Sequence, residues 1–278
     1  VSRRLEAALA GGRFLLLGMV HLPPLPGSPG WAGSMAAVLE AARRDAAALA
    51  EAGLDGVVVE NHGDVPYHPG AVPPETVAAM AVAVAAVRAE VGPEPLVGVN
   101  VLRNDARAGL AVAAAAGADL VRINVHAGAM WTDQGLLQGR AWETLRERAR
   151  LAPDVALVAD VLVKHGVPPV PTDPAQAARE AAERGLADAV VVTGPATGAP
   201  ADPEVVRCVR RAVRVPVLVG SGVTADTLAR YTDAHGAIVG SWLEEGGRAG
   251  GRVNPERARR LVAARSRLSR VVPGGASR

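Results

Sequence analysis

The chain has 278 residues, 49% of them apolar and only 3% aromatic, with a formal charge of +2. That length suits one α/β barrel of about 250 residues, with a core of Val, Leu and Ala rather than aromatic rings. The near-neutral balance, without a basic stripe interleaved with aromatics, speaks against nucleic-acid binding. No run of 18 apolar residues predicts a membrane span, and no secretory leader pattern opens the sequence. Cys208 is the single cysteine, which excludes an internal disulfide and points to a reducing, cytoplasmic setting. Its place in a helical run predicts a small packed hydrophobe.

Eight short apolar runs are predicted as strands, at residues 14–20, 56–60, 96–101, 120–125, 155–161, 189–193, 217–220 and 237–240. Ala-rich helical segments separate them. Three helices reach their strand through one repeated turn, Ala52-Gly53-Leu54-Asp55, Ala116-Gly117-Ala118-Asp119 and Arg184-Gly185-Leu186-Ala187-Asp188. There a glycine ends the helix and a polar turn feeds the strand. The segments leaving the strands (21–34, 61–74, 126–140, 164–174, 194–203) are longer and rich in Pro, Gly and polar residues. Short turns at one end and decorated loops at the other predict a (βα)8 TIM barrel with its function at the C-terminal rim. Eight such units exceed what an open doubly wound sheet usually holds. No composition break divides the chain. One domain over 1–278 is expected, with the barrel at about 14–265 and a basic C-terminal helix and tail at 256–278.

Two glycine turns stand at the ends of the last two predicted strands, Gly220-Ser221-Gly222 and Gly240-Ser241. Glycines let backbone N–H groups close on an anion. Paired turns of this kind resemble the phosphate-binding half of the barrels of tryptophan and histidine biosynthesis. Ser221, Gly222, Gly240 and Ser241 are therefore the expected phosphate ligands.

Polar side chains crowd the other strand ends. His21 closes the first strand, Glu60 the second and Asn100 the third, with Arg103 just beyond it. Arg122, Asn124 and His126 alternate along the fourth and, if the pleat holds, share one side. Asp160, Lys164 and His165 follow at the fifth, and Thr193 at the sixth. His235 precedes a strand and falls on the opposite, stability rim. Lys164 is the one lysine among thirty basic residues. Arginine keeps its proton, whereas a buried amine can act as acid, base or Schiff-base nucleophile. Lys164, Asp160, His21, Glu60 and His126 are thus the catalytic candidates. Asn100, Arg103, Arg122, Asn124, His165 and Thr193 are the substrate-binding ones. Glu60, His62, Asp64 and His126 carry donor atoms, but no HxH or HExxH spacing ties them together, so no metal or cofactor is called for.

Several motifs together resemble the BtpA/SgcQ family: Gly18-Met19-Val20-His21-Leu22-Pro23-Pro24, Val59-Glu60-Asn61 with Asp64-Val65-Pro66, Arg122 to His126, Asp160 to His165, Thr193-Gly194 with Thr197-Gly198, and Gly220 to Val223. The resemblance implies a TIM barrel over about 14–265. The family's name comes from photosystem I biogenesis at the thylakoid membrane, and other members sit in sugar-utilisation gene clusters. It attaches no common reaction. The combined expectation is an enzyme of aldolase, isomerase or glycosyl-transfer type, centred on Lys164, that acts on a phosphorylated sugar or nucleoside-like metabolite. The alternative is a non-catalytic assembly factor for a membrane complex that retains a phosphate pocket. Its basic C-terminal helix would touch the membrane only peripherally, and a homo-oligomer is compatible with either.

Overall fold

A computed structural model describes residues 3–268. Eight parallel strands close into a barrel: β1 (Leu15–His21), β2 (Gly56–Glu60), β3 (Leu96–Asn100), β4 (Leu120–Ile123), β5 (Ala156–Val161), β6 (Ala189–Val192), β7 (Val217–Val219) and β8 (Gly236–Val239). Each strand pairs with the next in chain order, and β8 returns to β1 through the register Leu15 to Gly236. This is the TIM barrel expected from the spacing of the apolar runs. The helices between strands lay alanines and aliphatic residues on the sheet, as with Val38, Ala42, Ala46 and Leu49 of Met35–Glu51. Small side chains allow that close approach. Ser34, Asp105, Asp173, Asp202 and Asn254 each cap a helix by accepting N–H groups of its first turn.

The barrel interior is filled by Leu15, Leu17, Val58, Leu96, Leu120, Val158, Val191, Leu218 and Ile238. Two features were not foreseen. A short helix, Arg3–Leu9, precedes β1 and packs Leu5 against the interior residues at the N-terminal end of the barrel. An antiparallel hairpin, Ala129–Thr132 with Gly135–Gln138, rises from the long loop after β4, and its Trp131 bridges to Val167.

The repeated turns acquire a physical reason at the N-terminal rim. Asp55 Oδ2 accepts the Leu16 N–H of β1, Asp119 Oδ2 that of Val97 in β3, and Asp188 Oδ2 that of Leu157 in β5, each at 2.8 Å. His235 takes the same place in the fourth pair, its Nδ1 accepting the Val217 N–H of β7 at 3.0 Å. Each even strand thus begins with an acceptor that tethers the odd strand before it. Arginines clamp the three carboxylates: Arg265 and Arg13 on Asp55, Arg88 on Asp119, Arg148 on Asp188.

The expectation of a packed Cys208 is corrected. The helix Pro203–Ala212 buries Val206 and Val209, so Cys208 lies off that stripe and is exposed. The basic C-terminal helix, Pro255–Arg265, is tied to the barrel by two of its arginines: Arg265 bonds Asp55 and the Gly53 carbonyl, and Arg257 the carbonyls of Trp242 and Glu244. The rest of the basic tail, 269–278, lies outside the described residues.

Candidate active site

Above the apolar layers, the inward positions of the strands turn polar. The register aligns His21 with Glu60 and Glu60 with Asn100, so the ends of β1 to β3 present one row. Asn100 Nδ2 donates to Glu60 Oε2 at 2.7 Å, which leaves Oε1 facing His21 Nε2 at 3.6 Å and His62 Nδ1 at 3.7 Å. Burial alone would raise the Glu60 pKa. The neighbouring His62 imidazole and the charges of His21, Arg122 and Lys164 outweigh it and hold the carboxyl well below the usual range.

On the far wall, Arg122 donates from Nε and Nη2 to both oxygens of Asp160, at 2.9 and 3.0 Å, and Asn124 Nδ2 adds a third bond at 2.8 Å. A buried guanidinium needs such a partner. Asp160 is therefore spent on Arg122 and Asn124 rather than aimed at Lys164. Arg103 is steadied from two sides, by Gln134 at the hairpin turn (Nε to Oε1, 3.0 Å) and by the face of Tyr67, 4.8 Å below its guanidinium.

Lys164 follows β5, where Leu162 and His165 adopt positive φ (49° and 62°). Its backbone N–H donates to Thr193 Oγ1 at 3.2 Å, joining it to the end of β6, while His165 Nε2 meets Thr197 Oγ1 at 2.7 Å. The amine side chain enters a cavity of about 240 Å³ that His21, Glu60, His62, Arg103, Arg122 and Asn124 line from one side. Gly220 to Thr224 and Gly240 to Trp242 line it from the other. Burial lowers the Lys164 pKa, the Arg122 charge lowers it further, and Glu60 and Asp160 pull the other way.

The two glycine turns converge here. Gly222 has φ +65°, and a Cβ there would stand 2.2 Å from Pro200 Cα, so only glycine lets the 194–200 loop seat against the turn. Gly220 N–H is held by the Val192 carbonyl, whereas the amides of Ser221, Gly222 and Ser241 meet no acceptor among the described residues. Ser221 Oγ is buried without a hydrogen-bond partner, and so is Asn124 Oδ1. Buried polar atoms are ordinarily paired, so both are exceptions in the wall of this cavity.

Of the candidate residues, the cavity gathers Lys164, His21, Glu60, Arg103, Arg122, Asn124, His165, Ser221, Gly222, Gly240 and Ser241. Asp160, Asn100 and Thr193 stand behind that surface as supports. His126 does not join them. Regular pairing of β4 ends at Ile123, the alternation lapses, and His126 turns outward to meet the Gly185 carbonyl at 2.7 Å. That carbonyl is offered by the π-helical turn Glu180–Arg184, and burial lowers the His126 pKa. Sequence reasoning also missed Glu244, a fully buried carboxylate after β8 that accepts from His21 Nδ1. Nothing in its local pattern separates it from a surface glutamate.

Known proteins agree with this architecture. An sn-glycerol-1-phosphate-bound (S)-3-O-geranylgeranylglyceryl phosphate synthase from Thermoplasma acidophilum superposes with a TM-score of 0.58 at 17% identity, covering 96% of this chain and all of that one. In sequence, the chain is 48% identical over 248 residues to an uncharacterized protein of Thermococcus kodakarensis, covering 89% of this chain and 93% of that one. It is 42% identical over 252 residues to the photosystem I biogenesis protein BtpA of Synechocystis, with 90% and 87% covered. The BtpA family model matches residues 14–267, and with that span of agreement the chain belongs to the BtpA family.

Proposed function

We propose that this protein is an enzyme that binds a small phosphorylated metabolite and acts on it with the Lys164 amine. The observation that carries the reading is that one cavity is lined both by the half-buried lysine and by the turns after β7 and β8. The phosphate would rest on the amides of Ser221, Gly222 and Ser241 and on the Ser221 hydroxyl, with Gly240 leaving room for its approach. Arg122 and Arg103 would orient carboxylate or hydroxyl groups of the remaining substrate. Lys164, its proton loosened by burial, would add to a carbonyl or shuttle a proton. A phosphate-bearing substrate on a barrel of the same fold, in the Thermoplasma enzyme, supports the class of ligand.

The amine chemistry is tested by incubating the protein with aldose and ketose phosphates in the presence of borohydride. A mass adduct on Lys164, absent from Lys164→Met, is the expected result. No adduct and no turnover with any of them, while inorganic phosphate still binds, would sink it.

The assembly-factor reading draws on a different observation. Trp131 and Val167, bridged to each other, are 52% and 66% exposed, and Trp142 is 60% exposed. Apolar groups held out in this way suit a partner surface. No helix among the described residues is long and apolar enough to cross a membrane, so contact with a membrane complex would run through such a surface.

A further inference from the structure

His21 ends β1, Glu60 ends β2 and His62 lies just beyond it, yet their donor atoms all lie within 4.8 Å of one another. We propose that His21 Nε2, Glu60 Oε1 and His62 Nδ1 hold a first-row divalent cation of the Zn²⁺ type at the edge of the candidate active site. Two imidazoles and one carboxylate form a ligand set for such ions, with the remaining coordination positions open to substrate or water. In a tetrahedral site, bonds of about 2.1 Å separate adjacent donors by roughly 3.4 Å. The two His–Glu separations, 3.6 and 3.7 Å, need only small side-chain movements to reach that.

The groups behind the donors favour a cation over a plain hydrogen-bonded cluster. The buried Glu244 accepts from His21 Nδ1, which sets the tautomer and turns the Nε2 lone pair toward Glu60. Glu244 is itself fixed, its other oxygen accepting the Gly251 N–H at 2.7 Å. A carboxylate behind a ligating histidine is the usual outer-shell device of metal sites. Asn100 does the corresponding work for Glu60, occupying Oε2 and leaving Oε1 free for the ion. Together, Glu60 and Glu244 bring two carboxylates to balance the double charge.

The two ligand-bearing loops are also clamped to each other before any ion arrives. A Cβ on Gly63 would stand 2.4 Å from Pro24 N, so the loop after β2 lies directly on the loop after β1. Asp64 Oδ1 accepts the Leu25 N–H at 2.7 Å across the same seam. His62 and His21 are therefore held side by side, with ring centroids 4.6 Å apart. Such a cation would face the cavity that Lys164 and the glycine turns line, where it could polarise a carbonyl or hydroxyl oxygen. The inference does not depend on the amine chemistry, since binding can be read without turnover.

The full chain, stripped of metal by chelation, is titrated with Zn²⁺ by calorimetry and with Co²⁺ by visible absorption. One ion per chain is expected, with Co²⁺ bands of the intensity that marks four or five ligands. His62→Ala and Glu60→Gln should each weaken binding by about 100-fold or more, and Glu244→Gln by roughly 10–100-fold through a misdirected His21. His62 lies at the surface edge of the cluster with 29% of its side chain exposed, so its variant tests the site without emptying the core. An unfolding midpoint of metal-free His62→Ala equal to that of the metal-free parent checks this. Absence of a one-to-one complex, or affinity unchanged in both His62→Ala and Glu60→Gln, overturns the site and leaves a hydrogen-bonded cluster only.

Discussion

The two rims of this barrel are built from similar residues and are spent differently. At the N-terminal rim, Asp55, Asp119 and Asp188 each accept a strand N–H and take an arginine, and His235 accepts the fourth N–H. At the C-terminal rim, Ser221 Oγ and Asn124 Oδ1 are buried without partners, and among the described residues the Lys164 amine makes no ion pair. Polar groups that satisfy each other stabilise a fold. Polar groups left facing a cavity lower its stability and are kept where a ligand completes them.

Three changes would break or sharpen that contrast. The largest effect belongs to Asp55→Ala, which frees the Leu16 N–H and strands the largely buried Arg265. A loss of roughly 2–3 kcal/mol in denaturant unfolding is expected. Phosphate binding by the surviving folded fraction should not change. A smaller effect comes from pH. Burial and the Arg210 charge lower the His235 pKa, and its Nδ1 must stay unprotonated to accept from Val217. The unfolded chain then takes the proton first. The stability from this tether is present above about pH 6.5 and is lost as pH falls through the lower folded value. The unfolding midpoint of the parent should therefore fall more between pH 7.5 and 5 than that of His235→Asn. Equal slopes would remove His235 from the set of tethers. The smallest effect on stability is Ser221→Ala, within about 0.5 kcal/mol and of either sign, because no protein bond is lost. The same change should weaken phosphate binding by roughly 10-fold, a hydrogen bond's worth. Intact binding would disconnect that hydroxyl from the anion site.

Much of this was legible because strand ends obey a period of two. His21, Glu60, Asn100, Arg122 and Asp160 fall at inward positions of strands that the apolar runs delimit, and the rim follows from counting. The count failed where the strand did. Regular pairing of β4 stops at Ile123, so Asn124 still points inward while His126 does not. Contacts between loops were beyond reach for a related reason. His62 meets His21 only because Gly63 seats one loop on another, and Glu244 arrives from the far end of the chain. The helix Arg3–Leu9 has one buried residue, Leu5, too few to raise a periodic signal. The hairpin at 129–138 was likewise absorbed into a loop, since each arm has four residues.

That small helix has a consequence for traffic. With Leu5 stoppering the lower end and packed side chains filling the bore, the cavity is a cul-de-sac. Whatever enters past His21 and the glycine turns must back out through the same mouth. A departing molecule therefore blocks the next arrival, so on the proposed function a reaction product would compete directly with its substrate for entry.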